Sequence, residues 1–246
     1  MSKHYKTTTH FVAYLDLLGG THLIQSQEDE SLNKLHSLLQ VAKESCIPNN
    51  KALFPKCKVK IFSDNIIIAC KLTGNYEQDM LRINSAITLI SAIQIIGLEM
   101  YRYLFRGGAT IGNLFIDDVM VWGNALLRAY ELESLLAVYP RIIIDEPLIE
   151  MMAMDKDIAE GDYSKYFITL DTDNIYYLDY LKAYFRLPHT TKNGTKFIEE
   201  SYIYYKEELV SEADKVCQKL RWQVLYLDKY IENTTGENVL GTAKER

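Results

Sequence analysis

The pattern of hydrophobic positions gives its first strand signal over residues 10–16, His-Phe-Val-Ala-Tyr-Leu-Asp, a β-branched and aromatic run that ends on a carboxylate. Two glycines then mark a turn. Beyond it the period changes to that of a helix. The helix spans 21–26 and resumes at Ser31, with Leu32, Leu35, Leu38, Leu39 and Ala42 on one face. Residues 45–55 read as loop. Two β-rich runs, 58–62 and 66–70, flank Ser63-Asp64-Asn65 and predict a hairpin, because Asp and Asn accept turn dihedrals. A long helix follows over 76–101, with Met80, Ile83, Ile87, Ile90, Gln94 and Ile95 tracking its buried face.

A glycine-bearing strand over 104–112 implies close backbone packing or a bulge, and 113–120 forms a second hairpin arm. Asn124 is the expected N-cap of a helix over 125–138. A buried strand at 141–145 leads to a short helix opened by Pro147. A hairpin pairs 167–169 with 175–178 around Asp171-Thr-Asp-Asn174, and 199–231 reads as helical with Trp222, Tyr226 and Tyr230 on one stripe. The order β-α-β-β-α-β with later additions predicts an α+β fold, a ferredoxin-like βαββαβ core with a C-terminal α/β extension. The expected division is a domain over 1–185 and a helical extension over 186–246 packed on it.

Composition narrows the function classes. The net charge of -6 offers no basic footprint for nucleic acid. The opening residues are polar and read as no secretory signal. The apolar stretch 86–98 is short for a bilayer and carries Thr88, Ser91 and Gln94, so no membrane partner is expected. Cys46, Cys57, Cys70 and Cys217 show no CxxC pair and read as buried small hydrophobes in a reducing cytosol; the location expected is cytoplasmic. The five histidines form no metal signature.

Chemistry then rests on two aspartates. Taken singly, Asp16 suits a cap and Asp64 suits a turn. In a βαββ unit, however, the first strand and the next hairpin are neighbours, so the two carboxylates converge. Close carboxylates repel unless a cation sits between them, and Mg²⁺ or Mn²⁺ with a triphosphate is the usual solution.

Four segments give a resemblance. Asp16-Leu-Leu-Gly-Gly-Thr21, Lys60-Ile-Phe-Ser-Asp64, Arg106-Gly-Gly-Ala-Thr-Ile-Gly112 and the segment from Val121-Trp-Gly-Asn124 to Glu133-Ser134 resemble, in order, motifs of class III adenylate and guanylate cyclases. The resemblance implies a class III nucleotide cyclase fold and two divalent ions per site, Mn²⁺ or Mg²⁺, held by Asp16, Asp64 and the Leu17 carbonyl. It also implies triphosphate binding around Leu18, Gly19, Gly20 and Thr21, and a head-to-tail homodimer with composite sites.

Departures matter too. Leu127 stands in the family's transition-state Asn column, Glu131 in its Arg column, and Met120 in that of its purine-discriminating Asp. The short form, Phe62-Ser-Asp64 and Arg106-Gly-Gly108 resemble the pyrimidine cyclases of Pycsar antiphage defence, which make cyclic CMP or cyclic UMP for a separate effector. Lys60 and Phe62 lie where the base is chosen, and Lys60 is either a donor to a pyrimidine carbonyl or a solvated hairpin lysine. Arg106 either holds phosphate or pairs with a structural acid, the latter favoured. Arg128 either reaches the triphosphate or is a surface helix residue. The alternative function is an inactive cyclase-like module that senses nucleotide or dimerises.

Overall fold

The computed structural model describes residues 4–46, 57–157, 159–185, 200, 203 and 224–228. The chain divides into two compact units, Met1–Tyr180 and Leu181–Arg246. In the first, β1 (Thr8–Leu17), α1 (Gly20–Cys46), β2 (Cys57–Phe62), β3 (Asn65–Lys71), α2 (Tyr76–Ile96) and β4 (Phe105–Ile116) follow in the expected βαββαβ order. β5 (Val121–Trp122), α3 (Asn124–Glu131), β6 (Ile142–Ile144), α4 (Glu146–Ala153), β7 (Ile168–Leu170) and β8 (Tyr176–Leu178) complete it. The sheet runs β2-β3-β1-β4-β6-β8-β7, with β5 folded back on β4. Its first four strands are antiparallel in the ferredoxin-like order, and β6 joins β4 in parallel.

The two faces of β1 explain the layers. Phe11, Ala13, Leu15 and Leu17 point into the main core with Leu35, Leu38 and Leu39 of α1 and Ile83, Ile87 and Ile90 of α2. Val12 points the other way, into a smaller core with Ala125 and Ala129 of α3. α3 can lie this close because β4 carries glycines at 108 and 112 on the face beneath it. A Cβ on Gly108 would stand 2.3 Å from the Leu132 Cβ, so the glycines of this strand mark close packing rather than a bulge.

Local chemistry sets the helix boundaries. α1 is broken at Gln27 (φ -147°, ψ 53°), between the two expected segments, and Leu32 is exposed rather than on the buried face. The Asn75 side chain accepts from the Gln78 amide at 3.0 Å and caps α2. α2 with its π-turn, Tyr76–Tyr101, is long and apolar enough to cross a bilayer, but 72% of its most apolar window is buried inside this fold. The residue before α3 is Gly123, so Asn124 is the first helical residue and not the cap; the helix ends at Glu131 and a π-turn spans Leu132–Leu136. Pro147 opens α4 as expected.

The cysteines differ from expectation. Cys57 and Cys70 sit directly opposite on β2 and β3, with Cα atoms 4.4 Å apart, and form a disulfide. Cys46 is free and buried, and Cys217 lies outside the described residues. In the second unit, α5 (Tyr180–Phe185) begins at the boundary, and residues 224–228 are helical with Val224, Tyr226 and Leu227 buried. Trp222, Tyr230 and most of the helix expected over 199–231 lie outside the described residues.

Candidate active site

β1 and β3 pair with Asp16 opposite Asn65, and the Leu17 amide donates to the Asp64 carbonyl at 3.1 Å. The register therefore sets the strand end that carries Asp16 beside the hairpin turn that carries Asp64. Ser63, with φ +57°, takes the left-handed position of that turn. The Tyr14 hydroxyl donates to Asn65 Oδ1 at 2.6 Å, and Asn65 Nδ2 donates to Asp64 Oδ1 at 3.2 Å. Burial first, then the negative charges of Glu133, Asp16 and Asp64, push the Tyr14 phenol up to about 12. One hydroxyl thus feels three carboxylates.

The cation within this group is Arg106, on β4 opposite Asp16. Its Nε donates to Asp16 Oδ2 at 3.0 Å, and its Nη2 meets Glu133 at 2.8 Å. Glu133 sits in the π-turn after α3 and is 3% exposed. Of the two sequence readings of Arg106, the contacts match pairing with acids.

The turn between β1 and α1 packs against Asp64. A Cβ on Gly20 would stand 2.3 Å from Asp64 Oδ2, so only glycine admits the carboxylate there. Gly19, with φ +79°, takes the left-handed conformation just before the helix. The Leu18 amide donates to the Leu104 carbonyl at 2.9 Å and is thereby withdrawn from the expected anion cradle. Gly20, Thr21 and His22 supply the first-turn amides. A cavity of about 270 Å³ opens beside Asp64, lined by Leu17, Gly20, Ile24, Glu28 and Ser63.

The remaining candidates are placed elsewhere. Lys60 donates to the Asp118 carbonyl at 3.2 Å, and Phe62 on the same edge strand is 75% exposed. Arg128 grips Asp145, Nη2 to Oδ1 at 2.7 Å and Nε to Oδ2 at 3.1 Å, while Thr110 Oγ1 donates to the same carboxylate at 2.7 Å. Burial works to raise the Asp145 carboxyl, but the bonds from Arg128 and Thr110 outweigh it and hold it below the usual range. Arg128 is therefore neither a free surface residue nor directed at Asp64. Leu127 is exposed, Glu131 lies 3.6 Å from Arg128, and Met120 is exposed near the β4–β5 tip.

The structure thus brings together Asp16, Leu17, Gly20, Asp64 and Arg106 and leaves Lys60 and Arg128 apart from them, while Phe62 stands opposite Asn65 with its ring exposed. Tyr14, Asn65 and Glu133 were missed. Tyr14 shares a strand face with Asp16 by the period of two, a signal the sequence did carry. Glu133 had none, because its position depends on how α3 docks.

Among the described residues no three His, Cys, Asp or Glu side chains form a metal cluster. The Asp16 and Asp64 carboxylates, with main-chain carbonyls such as that of Leu17, are hard oxygen donors of the kind Mg²⁺ and Mn²⁺ take, and they fit those ions in chemistry.

No protein-family model matches the chain, and no curated protein matches it. Solved structures do. A monomeric guanylyl cyclase domain of the RhoGC fusion protein from Blastocladiella emersonii is 13% identical, with a TM-score of 0.47 over 72% of this chain and 98% of that one. A bacterial light-regulated adenylyl cyclase is also 13% identical, with a TM-score of 0.46 over 80% of this chain and 100% of that one. The guanylate cyclase domain of RhGC from Catenaria anguillulae, solved with GTP, is 13% identical with a TM-score of 0.41 over 61% of this chain and 84% of that one.

Proposed function

We propose that the chain is a nucleotidyl cyclase that converts CTP or UTP to the cyclic 3′,5′-monophosphate and pyrophosphate, with residues 1–185 as its catalytic domain. The observation that carries this reading is the meeting of Asp16 and Asp64, from two separate elements, beside the first turn of α1. The four ordered motifs, two of which carry these residues, support it. The base follows from Met120, which replaces a purine-reading Asp and stands exposed two residues from the Asp118 anchor of Lys60.

Two divalent ions, Mn²⁺ or Mg²⁺, held by Asp16, Asp64 and the Leu17 carbonyl, would supply activation of the ribose 3′-hydroxyl and neutralisation of the triphosphate. The chain's own residues do the positioning. Asn65 holds Asp64, and Tyr14, which keeps its proton far above neutral pH, holds Asn65. The free amides of Gly20 and Thr21 orient a phosphate at the helix start. Lys60 leaves the Asp118 carbonyl to donate to a pyrimidine carbonyl. The 3′-oxygen bonds to the α-phosphorus as the α–β phosphoanhydride bond breaks, and both ends lie within one bound substrate.

Two copies in a C2 arrangement would complete each other's sites, with the exposed Leu127 and Tyr130 of α3 on the shared face. The biological reading is a cytoplasmic second-messenger synthase of antiphage defence whose product activates a separate effector. Incubation with each of the four NTPs and Mn²⁺, followed by mass spectrometry, tests it: a cyclic pyrimidine product is expected. Full activity in Asp16→Asn or Asp64→Asn would overturn the assignment.

A second reading has its own observations. Arg128 is tied to Asp145, the Leu18 amide is withdrawn, and Leu127 and Glu131 replace groups of the resembled family. These favour an inactive, nucleotide-sensing module, for which calorimetry would show nucleotide binding without turnover.

A further inference from the structure

A second concentration of charge lies at the opposite end of the open sheet face. Lys6, Lys58 and Lys71 surround a cavity of about 270 Å³ with His10 and Thr8 in its wall. His10 and Asp16 are on one strand, six residues or roughly 20 Å apart, so this cavity is remote from the carboxylates. In a chain of net charge -6, three lysines around one small cavity are a local reversal of sign. Lys58 donates to the Ile116 carbonyl at 2.9 Å, which fixes its stem across the β2 edge.

His10 is 6% exposed and its Nδ1 lies 2.7 Å from the Thr8 carbonyl, so that nitrogen carries the hydrogen. Burial lowers its pKa, the bond to Thr8 works the other way, and Lys71 and Lys58 lower it further. Asp117 on the β4–β5 tip is an acid that feels Lys58 and Lys60. Its Oδ1 already accepts from the Val119 and Met120 amides at 2.8 and 2.9 Å.

A larger cavity of about 830 Å³ adjoins this one and shares Lys6 and Phe115 with it. Its wall carries Tyr5, Phe115 and Trp122, with Tyr5 and Phe115 edge to face at 5.2 Å. Trp122 is 68% exposed on β5, directly opposite Phe115. Flat aromatic faces beside a cluster of ammonium groups match a ligand with a planar ring at one end and a phosphate at the other.

We propose that the two adjoining cavities form one binding site for a nucleoside monophosphate, with the phosphate among Lys6, Lys58, Lys71 and His10 and the base against Tyr5, Phe115 and Trp122. The site shares no residue with Asp16, Asp64 or their side-chain partners, but its larger cavity is also walled by Met120, on which the choice of base rests, so Asp64→Asn is the variant that separates the two readings. Three cations around one small cavity gain most from a dianion, which favours a monoester phosphate over a singly charged diester.

The experiment is calorimetric titration of the full chain with AMP, GMP, CMP and UMP, and with orthophosphate alone. Saturable binding of one monophosphate per chain is expected, falling as salt is raised. Lys71→Glu should weaken it at least about tenfold and Trp122→Ala several-fold, as for loss of one stacked base. Both positions are exposed, and a thermal melt would verify folding; Lys71→Gln serves as a milder second variant. Asp64→Asn should bind as the wild type does. The proposal is overturned by affinity that survives Lys71→Glu and Trp122→Ala, by binding lost in Asp64→Asn, or by no saturation with any of the four at millimolar concentration.

Discussion

Arg106 and Arg141 each bridge two carboxylates, yet the sealed member differs: the cation at Arg141, one of the acids at Arg106. At Arg141 the cation is sealed, 1% exposed, while its partners Asp171 and Asp173 in the β7–β8 turn reach water at 17% and 41%. At Arg106 the cation is 24% exposed while Glu133 is 4% and Asp16 is 19%. A buried guanidinium with solvated acids is neutralised and closed. One sealed acid, Glu133, with a partly solvated cation, and with Asp16 and Asp64 nearby, leaves negative charge facing inward, and that region favours a further cation. Equal pairing chemistry therefore gives a clamp before β6 and a receptive site one strand away, at the β1–β4 pair.

The sharpest way to break the comparison is at the acids. Asp64→Asn should lower cyclase turnover about a thousandfold while folding stability stays within about 1 kcal/mol, read by product formation and urea titration. Arg141→Met should do the reverse. It leaves Asp171 and Asp173 without their cation and should cost about 3 kcal/mol in the same titration, with activity per folded molecule unchanged. Arg106→Met should cost about 2 kcal/mol through the stranded Glu133, and adding Glu133→Leu should recover most of it.

The smallest effect concerns pH. The folded Tyr14 phenol is raised to about 12 above its ordinary 10.0, so its contribution is complete below pH 10 and is lost as pH rises towards 12. Tyr14→Phe should flatten that part of the stability profile, with tyrosinate absorbance confirming the titration.

Much of the architecture was legible because its elements are long, apolar and clearly bounded. The runs in β1 and β3 are continuous β-rich stretches and α2 follows the helical period, and the strand–hairpin proximity that joins Asp16 to Asp64 follows from their order. What was not legible depends on register and docking. Cys57 and Cys70 are 13 residues apart, and only the β2–β3 pairing shows that they oppose each other. Arg128 finds Asp145, and Arg106 finds Glu133, only once α3 lies over Gly108. Leu32 fitted the helical stripe by spacing alone, but it lies just past the kink at Gln27 and faces solvent.

The Cys57–Cys70 bridge bears on where Asp64 can be. A strand that slips by one residue turns every side chain to the opposite face, and an edge hairpin is where slippage is easiest. A covalent tie at the open end of β2–β3 allows one alignment, and that alignment makes Ser63-Asp64 the reversal. The bridge is thus an indexing pin: it counts residues to the tip, so the aspartate arrives at Gly20 by covalent arithmetic as well as by packing.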